Sequence, residues 1–237
     1  MRNKLVEWFL FIAVLTLAVA FVIKFGASQV LRAYIQTGIG NCEKIPILCM
    51  APQEIELTFT ADKDYLQELV ALSFPKTKIS VPKGFKVVQE LVKKPYYKKR
   101  KQPKEEAVIY IIHQPPGYFI KLFPQVKKLG INSNYEFFRA LIYSRESGIH
   151  NLSDAFFVIL KSIFTPDLGD QRAVKMIQFK SGGRDYFINY NLSGPVNLFD
   201  CCIITKNGDF FKIYIKDTAK ALDLEKVFSI ISTADEA

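Results

Sequence analysis

The sequence predicts an α+β protein: an N-terminal transmembrane helix followed by a mostly antiparallel sheet flanked by helices, laid out like an α-β-α sandwich. Three observations carry this. Residues 5–23 are apolar apart from Glu7. Two pairs of β-type runs flank tight turns, one at Ser181, Gly182, Gly183 and Arg184, the other at Lys206, Asn207, Gly208 and Asp209. Asn-Gly between apolar runs is a strong hairpin signal. Helical spacing of apolar residues fills the stretch between 122 and 164 and returns near the C-terminal end.

Nineteen helical residues rise about 28 Å, close to the ~30 Å hydrocarbon core of a bilayer. Glu7 and Lys24 mark the ends of the run, and Trp8 stands where an aromatic interface anchor would. The helix is expected to project to about Thr37, where Gly38 and Gly40 stop it. A cleaved signal peptide is the competing reading, because Ala18, Val19 and Ala20 have the small-x-small form of a cleavage site. Under both readings the rest of the chain crosses the membrane. Arg2 and Lys4 favour an N-terminus kept in the cytoplasm. The expected placement is therefore a single-pass inner-membrane protein with an extracytoplasmic domain. The expected division is an anchor and its extension at 1–37, a linker at 38–53 and the domain at 54–237.

Beyond the anchor, Ile55, Leu57 and Phe59 alternate with polar neighbours and predict a strand. Asp62 starts a helix that places Leu66, Leu69 and Val70 on one side. Short strands are expected at 78–81, closed by Pro82 and Gly84, and at 85–92. The run 107–112 is strongly β-type, and Pro115, Pro116 and Gly117 end it. A short helix is expected at 122–129. Ser133 with Glu136 forms a capping box for a helix reaching about Ser144. Asn151 or Ser153 caps the next, in which Phe156, Ile159, Leu160 and Ile163 recur at helical spacing until Pro166. The runs 172–180 and 186–191 form one hairpin, and 201–205 and 210–216 the second. A last helix, capped near Asp217, carries Leu224, Val227, Phe228 and Ile231 on one face.

The formal net charge of +9 is local: residues 1–24 supply +2 and residues 93–104 supply +7, so the rest is neutral. A broad nucleic-acid-binding face would spread its charge. The basic run, Lys93, Lys94, Lys98, Lys99, Arg100, Lys101 and Lys104 with Tyr96 and Tyr97 between, is a candidate for binding anionic lipid headgroups or an anionic polymer. It also reads as a long, solvated hairpin loop. Nucleic acid is disfavoured for an extracytoplasmic domain.

Cys42 and Cys49 bracket Pro46 and are candidates for a disulfide just past the anchor. Adjacent Cys201 and Cys202 would point to opposite faces of a strand, so they are not expected to bond to each other. No Cys-x-x-Cys is present and neither histidine is near a cysteine in sequence, so no metal ligands and no cofactor are assigned.

The segment Ile79, Ser80, Val81, Pro82, Lys83, Gly84 and Phe85, the paired hairpins, and the terminal Ile230, Ile231, Ser232 and Thr233 resemble the PsbP-like family, the photosystem II extrinsic subunit and its relatives, over about residues 78–234. The resemblance is one of layout. It implies an α-β-α sandwich and a non-catalytic accessory role; no functional residue carries over.

No catalytic constellation is legible: there is no G-x-S-x-G and no H-E-x-x-H. The expected function is a membrane-anchored, non-catalytic binding module with a protein partner in the cell envelope. A lipid or polymer binder acting through 93–104 is the first alternative, and an envelope hydrolase using His113 the second. His113 follows a β-type run and reads equally as a hydrogen-bonded strand-end histidine. Asp167 and Asp170 around Gly169 read as a turn more readily than as a cation site.

Overall fold

Four successive runs, buried almost continuously because both faces are covered, make the centre of the fold a meander. The computed structural model describes residues 12, 14–17, 26, 28–40, 42–43, 45–56, 60–89 and 107–237. It divides into two compact units, Met1–Met50 with Tyr143–Phe164, and Ala51–Ile142 with Thr165–Ala237.

The larger unit holds a seven-stranded mixed sheet. Its strands are β1 (Gln53–Glu54), β4 (Lys86–Gln89), β5 (Val108–Gln114), β6 (Lys175–Ser181), β7 (Arg184–Asn191), β8 (Asn197–Ile204) and β9 (Phe210–Asp217), in the order β1-β6-β7-β8-β9-β5-β4. The five central strands pair antiparallel, whereas β1 on β6 and β4 on β5 pair parallel. Because β4 and β5 pair parallel, they are not the two arms of a hairpin. A two-stranded ribbon, β2 (Val70–Phe74) and β3 (Thr77–Val81), turns at Pro75 and Lys76.

One sheet face presents Phe199, Cys201, Ile203, Phe211, Ile213 and Ile215 to helix α6 (Leu224–Ser232), which answers with Val227, Phe228, Ile230 and Ile231. Asp223, not Asp217, caps α6 by accepting from Lys226 N. Asp217 instead folds the preceding loop, accepting from Ala219 N and Leu222 N. The short helix α2 (Lys63–Glu68) is capped by Asp62 and ends before Val70. At one end of the opposite face, α3 (Tyr118–Leu122) and α4 (Asn134–Tyr143) supply Phe119 and Phe138, whose rings meet Phe210, with Phe138 also against Phe187. The capping box at α4 is reciprocal: Glu136 N donates to Ser133 Oγ, and Ser133 N and Asn132 N donate to Glu136 Oε2.

The smaller unit contains helix α1, described over 28–38, one-turn 3-10 helices at Pro46–Leu48 and Glu146–Gly148, and α5 (Leu152–Phe164). Its core gathers Ile35, Leu48, Ile149, Ala155 and Val158, with Leu31, Ile39, Ile45 and Ile159 at the margin.

The transmembrane expectation is corrected. Among the described residues, no helix is long and apolar enough to cross a membrane. Of 5–23, Ile12 and residues 14–17 are described, as exposed helix; the remainder lies outside the described residues. Eleven residues of α1 are described. They carry Arg32 and Gln36 and bury Ile35 against neighbouring side chains. A hydropathy run counts apolar side chains without saying what they pack on. With the anchor go the single-pass and signal-anchor readings and the inner-membrane placement with an extracytoplasmic domain.

Candidate functional site

Each unit gathers polar side chains that lie far apart in sequence. In the smaller unit, Cys42 and Cys49 are joined as a disulfide with Cα atoms 5.7 Å apart. The turn at Pro46–Leu48, capped by Cys49 N donating to the Pro46 carbonyl, brings the chain back on itself. Facing the sulfurs is Glu146, 7% exposed, with Oε2 3.0 Å from Cys42 Sγ and 3.9 Å from Cys49 Sγ. Gln36 on α1 donates from Nε2 to the other carboxylate oxygen, and Arg32, one turn earlier, donates to the Ser147 carbonyl. Lys161 on α5 is also buried here. Its Nζ donates to the carbonyls of Met50 at 2.6 Å and Ser144 at 2.9 Å. Burial, with Arg145 as a lesser cause, pushes its pKa down to about 7.

In the larger unit His113 lies within β5, opposite Phe211, and stacks on that ring at 4.7 Å. Its Nε2 is 2.9 Å from Asp209 Oδ1, and the two side chains are 5% and 8% exposed. Nδ1 is buried with no hydrogen-bond partner. Asp209 ends the β8–β9 turn, where its N–H donates to Thr205 Oγ1. Asn134 ties the same corner, donating to the Pro115 and Gly208 carbonyls. A general base must reach a substrate proton, and the exposure of His113 leaves little room for that.

On the sheet face away from α6, Asp200 accepts from Asn189 at 3.3 Å and sits 3.2 Å from Lys212 Nζ. Burial raises the Asp200 carboxyl above its usual range, while Lys212 and Asn189 pull it back. The thiols of Cys201 and Cys202 are pushed well up by burial and next by the Asp200 charge. They stay protonated and are poor nucleophiles.

The basic run, Lys93, Lys94, Lys98, Lys99, Arg100, Lys101 and Lys104 with Tyr96 and Tyr97, lies outside the described residues. Asp167 and Asp170 accept from Gly169 N and Arg172 N, which is turn chemistry. Sequence reasoning assigned no site role to Glu146, Asp209, Asp200 or Lys212. Glu146 sits in a charged stretch that reads as solvated loop, and its cysteine neighbours are 104 and 97 positions away. Asp209 alone left a trace, as the residue after Asn207 and Gly208 in a hairpin turn.

The segment 118–130 is the other notable surface. Phe119, Ile120 and Val126 are buried, but Leu122 and Leu129 are 51% and 48% exposed. Lys121, Lys127 and Lys128 are exposed beside them, and no acidic residue occurs between 118 and 130.

The fold and these sites define an α+β protein with a mixed seven-stranded sheet and a second, smaller helical unit. No family model, curated protein or solved structure matches the chain.

Proposed function

We propose that this chain is a non-catalytic binding module that docks a protein partner of acidic, apolar chemistry on the segment 118–130. The observation that carries this is the exposure of Leu122 and Leu129 next to three lysines with no acid among them. Scattered exposed leucines need no explanation. Two of them on one short segment, ringed by charge of a single sign, match a partner that offers apolar anchors and carboxylates. Three pairs or contacts of buried ionisable groups support the same reading, because these groups have work inside the fold. His113 is held to Asp209, Asp200 to Lys212, and Lys161 to two carbonyls. The non-catalytic role implied by the PsbP-like layout agrees with it.

A photo-crosslinking side chain placed at Leu122 or Leu129 in the full chain tests this inside the source cells, with Lys83, an exposed turn residue, as control. One discrete adduct is expected from 122 and 129 and none from 83. Replacing Lys121, Lys127 and Lys128 with Glu should remove it. No adduct, or the same adducts from all three positions, would overturn the reading.

A further inference from the structure

The contact between Glu146 and the two sulfurs asks for something a disulfide does not have. A disulfide sulfur carries no hydrogen, yet Glu146 Oε2 lies 3.0 Å from Cys42 Sγ in a residue that is 7% exposed. Buried carboxylate oxygens are costly unless a donor or a cation meets them. Among the described residues, Gln36 is the nitrogen donor to this carboxylate, and it serves the other oxygen. When the pair is reduced, two thiols face Oε2, and when those thiols are deprotonated three anionic ligands converge. Among the described residues, Cys42, Cys49 and Glu146 are the group of metal-ligand side chains whose donor atoms all lie within 4.8 Å of one another.

Ligand chemistry narrows the choice of ion. Thiolates favour soft and borderline metals, and zinc takes sulfur at ~2.3 Å and carboxylate oxygen at ~2.0–2.2 Å in a tetrahedron. Those lengths put sulfur and oxygen about 3.6 Å apart. In the disulfide form the two Sγ–Oε2 distances are 3.0 and 3.9 Å, and reduction frees the sulfurs to part to the ~3.8 Å that two zinc-bound thiolates require. Gln36 supplies the outer hydrogen bond that orients a ligating carboxylate.

We propose that the reduced form of this corner is a zinc site, with Cys42 Sγ, Cys49 Sγ and Glu146 Oε2 as its three protein ligands and the fourth position open. A dithiol reductant opens it. Two electrons and two protons convert the S–S bond to two thiols while the reductant closes its own disulfide. Zn2+ then displaces both thiol protons to solvent. The oxidised form has no thiolates and does not hold the ion, so occupancy follows the redox state. This inference is independent of the partner surface on 118–130.

The test uses the full chain, reduced with a phosphine that does not bind zinc and handled without oxygen. Co2+ is added as a spectroscopic stand-in and then competed with Zn2+. The expected result is a saturable thiolate-to-cobalt charge-transfer band at one ion per chain, bleached by Zn2+, with two protons released per ion. The unreduced chain should give no band. Glu146→Gln keeps the side-chain shape and should weaken Zn2+ binding by at least about tenfold, and Gln36→Leu by roughly 10–100-fold, as outer-shell losses do. Absence of a saturable band in the reduced chain overturns the proposal. So does equal affinity in Glu146→Gln, which would mean that the cysteines alone capture the metal in an unfolded segment.

Discussion

Lys212 Nζ lies 3.2 Å from Asp200 Oδ1 on the sheet face away from α6, and neither side chain is more than 8% exposed. Neither charge is easily held there without the other. Breaking a buried pair from one side leaves an uncompensated charge and costs ~3–5 kcal/mol, whereas replacing both partners is far milder. Lys212→Met is therefore expected to lower the unfolding free energy by about 3 kcal/mol. Adding Asp200→Asn should recover a large part of that loss. Urea denaturation of the two variants beside the parent chain measures both steps.

Lys161 makes stability depend on pH in a stated direction. Its folded pKa is pushed down to about 7, against ~10.4 for an unfolded lysine. Between those values the unfolded chain binds the proton and the folded chain does not, so stability rises with pH across this window. Below about pH 7 both states are protonated and the full burial penalty is felt; above ~10.4 neither is. The Lys161 contribution is about 4–5 kcal/mol over the window. Lys161→Met should lack this rise. The difference between the two stability-versus-pH curves isolates it from other titrating groups, and parallel curves would contradict the assignment.

The Ser133–Glu136 capping box is a local device with a local cost. Ser133→Ala removes the acceptor for Glu136 N and is expected to cost about 1 kcal/mol. Hydrogen exchange should accelerate in the first turn of α4 while the sheet amides keep their protection.

Asp209→Ala leaves His113 Nε2 buried beside Phe211 without the carboxylate that now meets it. An unsatisfied buried polar group costs ~1–3 kcal/mol. His113→Phe in the same background should restore part of the loss, because both partners are then gone. A thermal melt of the single and double variants decides it.

What could be read in advance was whatever is set locally. Ser133 and Glu136 are three residues apart, and Asn207–Gly208 specifies its own turn. Gly182 and Gly183, with φ of 58° and 76°, likewise make the β6–β7 turn. The misreading of Val70 shows the limit. Leu66, Leu69 and Val70 have helical spacing, yet Val70 pairs with Val81 across the turn at Pro75. That pairing is long-range relative to the helical pattern and overrode it. The parallel edges were equally hidden, since β1 meets β6 across more than a hundred residues. The candidate metal ligands were half legible: the cysteines announce themselves, but a glutamate acquires meaning only through its neighbours in space. The run 5–23 failed for the opposite reason, because its composition is loud and says nothing about packing.

The smaller unit is assembled from two stretches of chain with most of the sheet unit's first half encoded between them. During synthesis Cys42 and Cys49 leave the ribosome well before their carboxylate, which follows Cys49 by 97 residues. At ~5–20 residues per second that delay lasts about 5–20 s. In that interval the two sulfurs are a newborn chain's unguarded pair, open to whichever oxidant or metal arrives first.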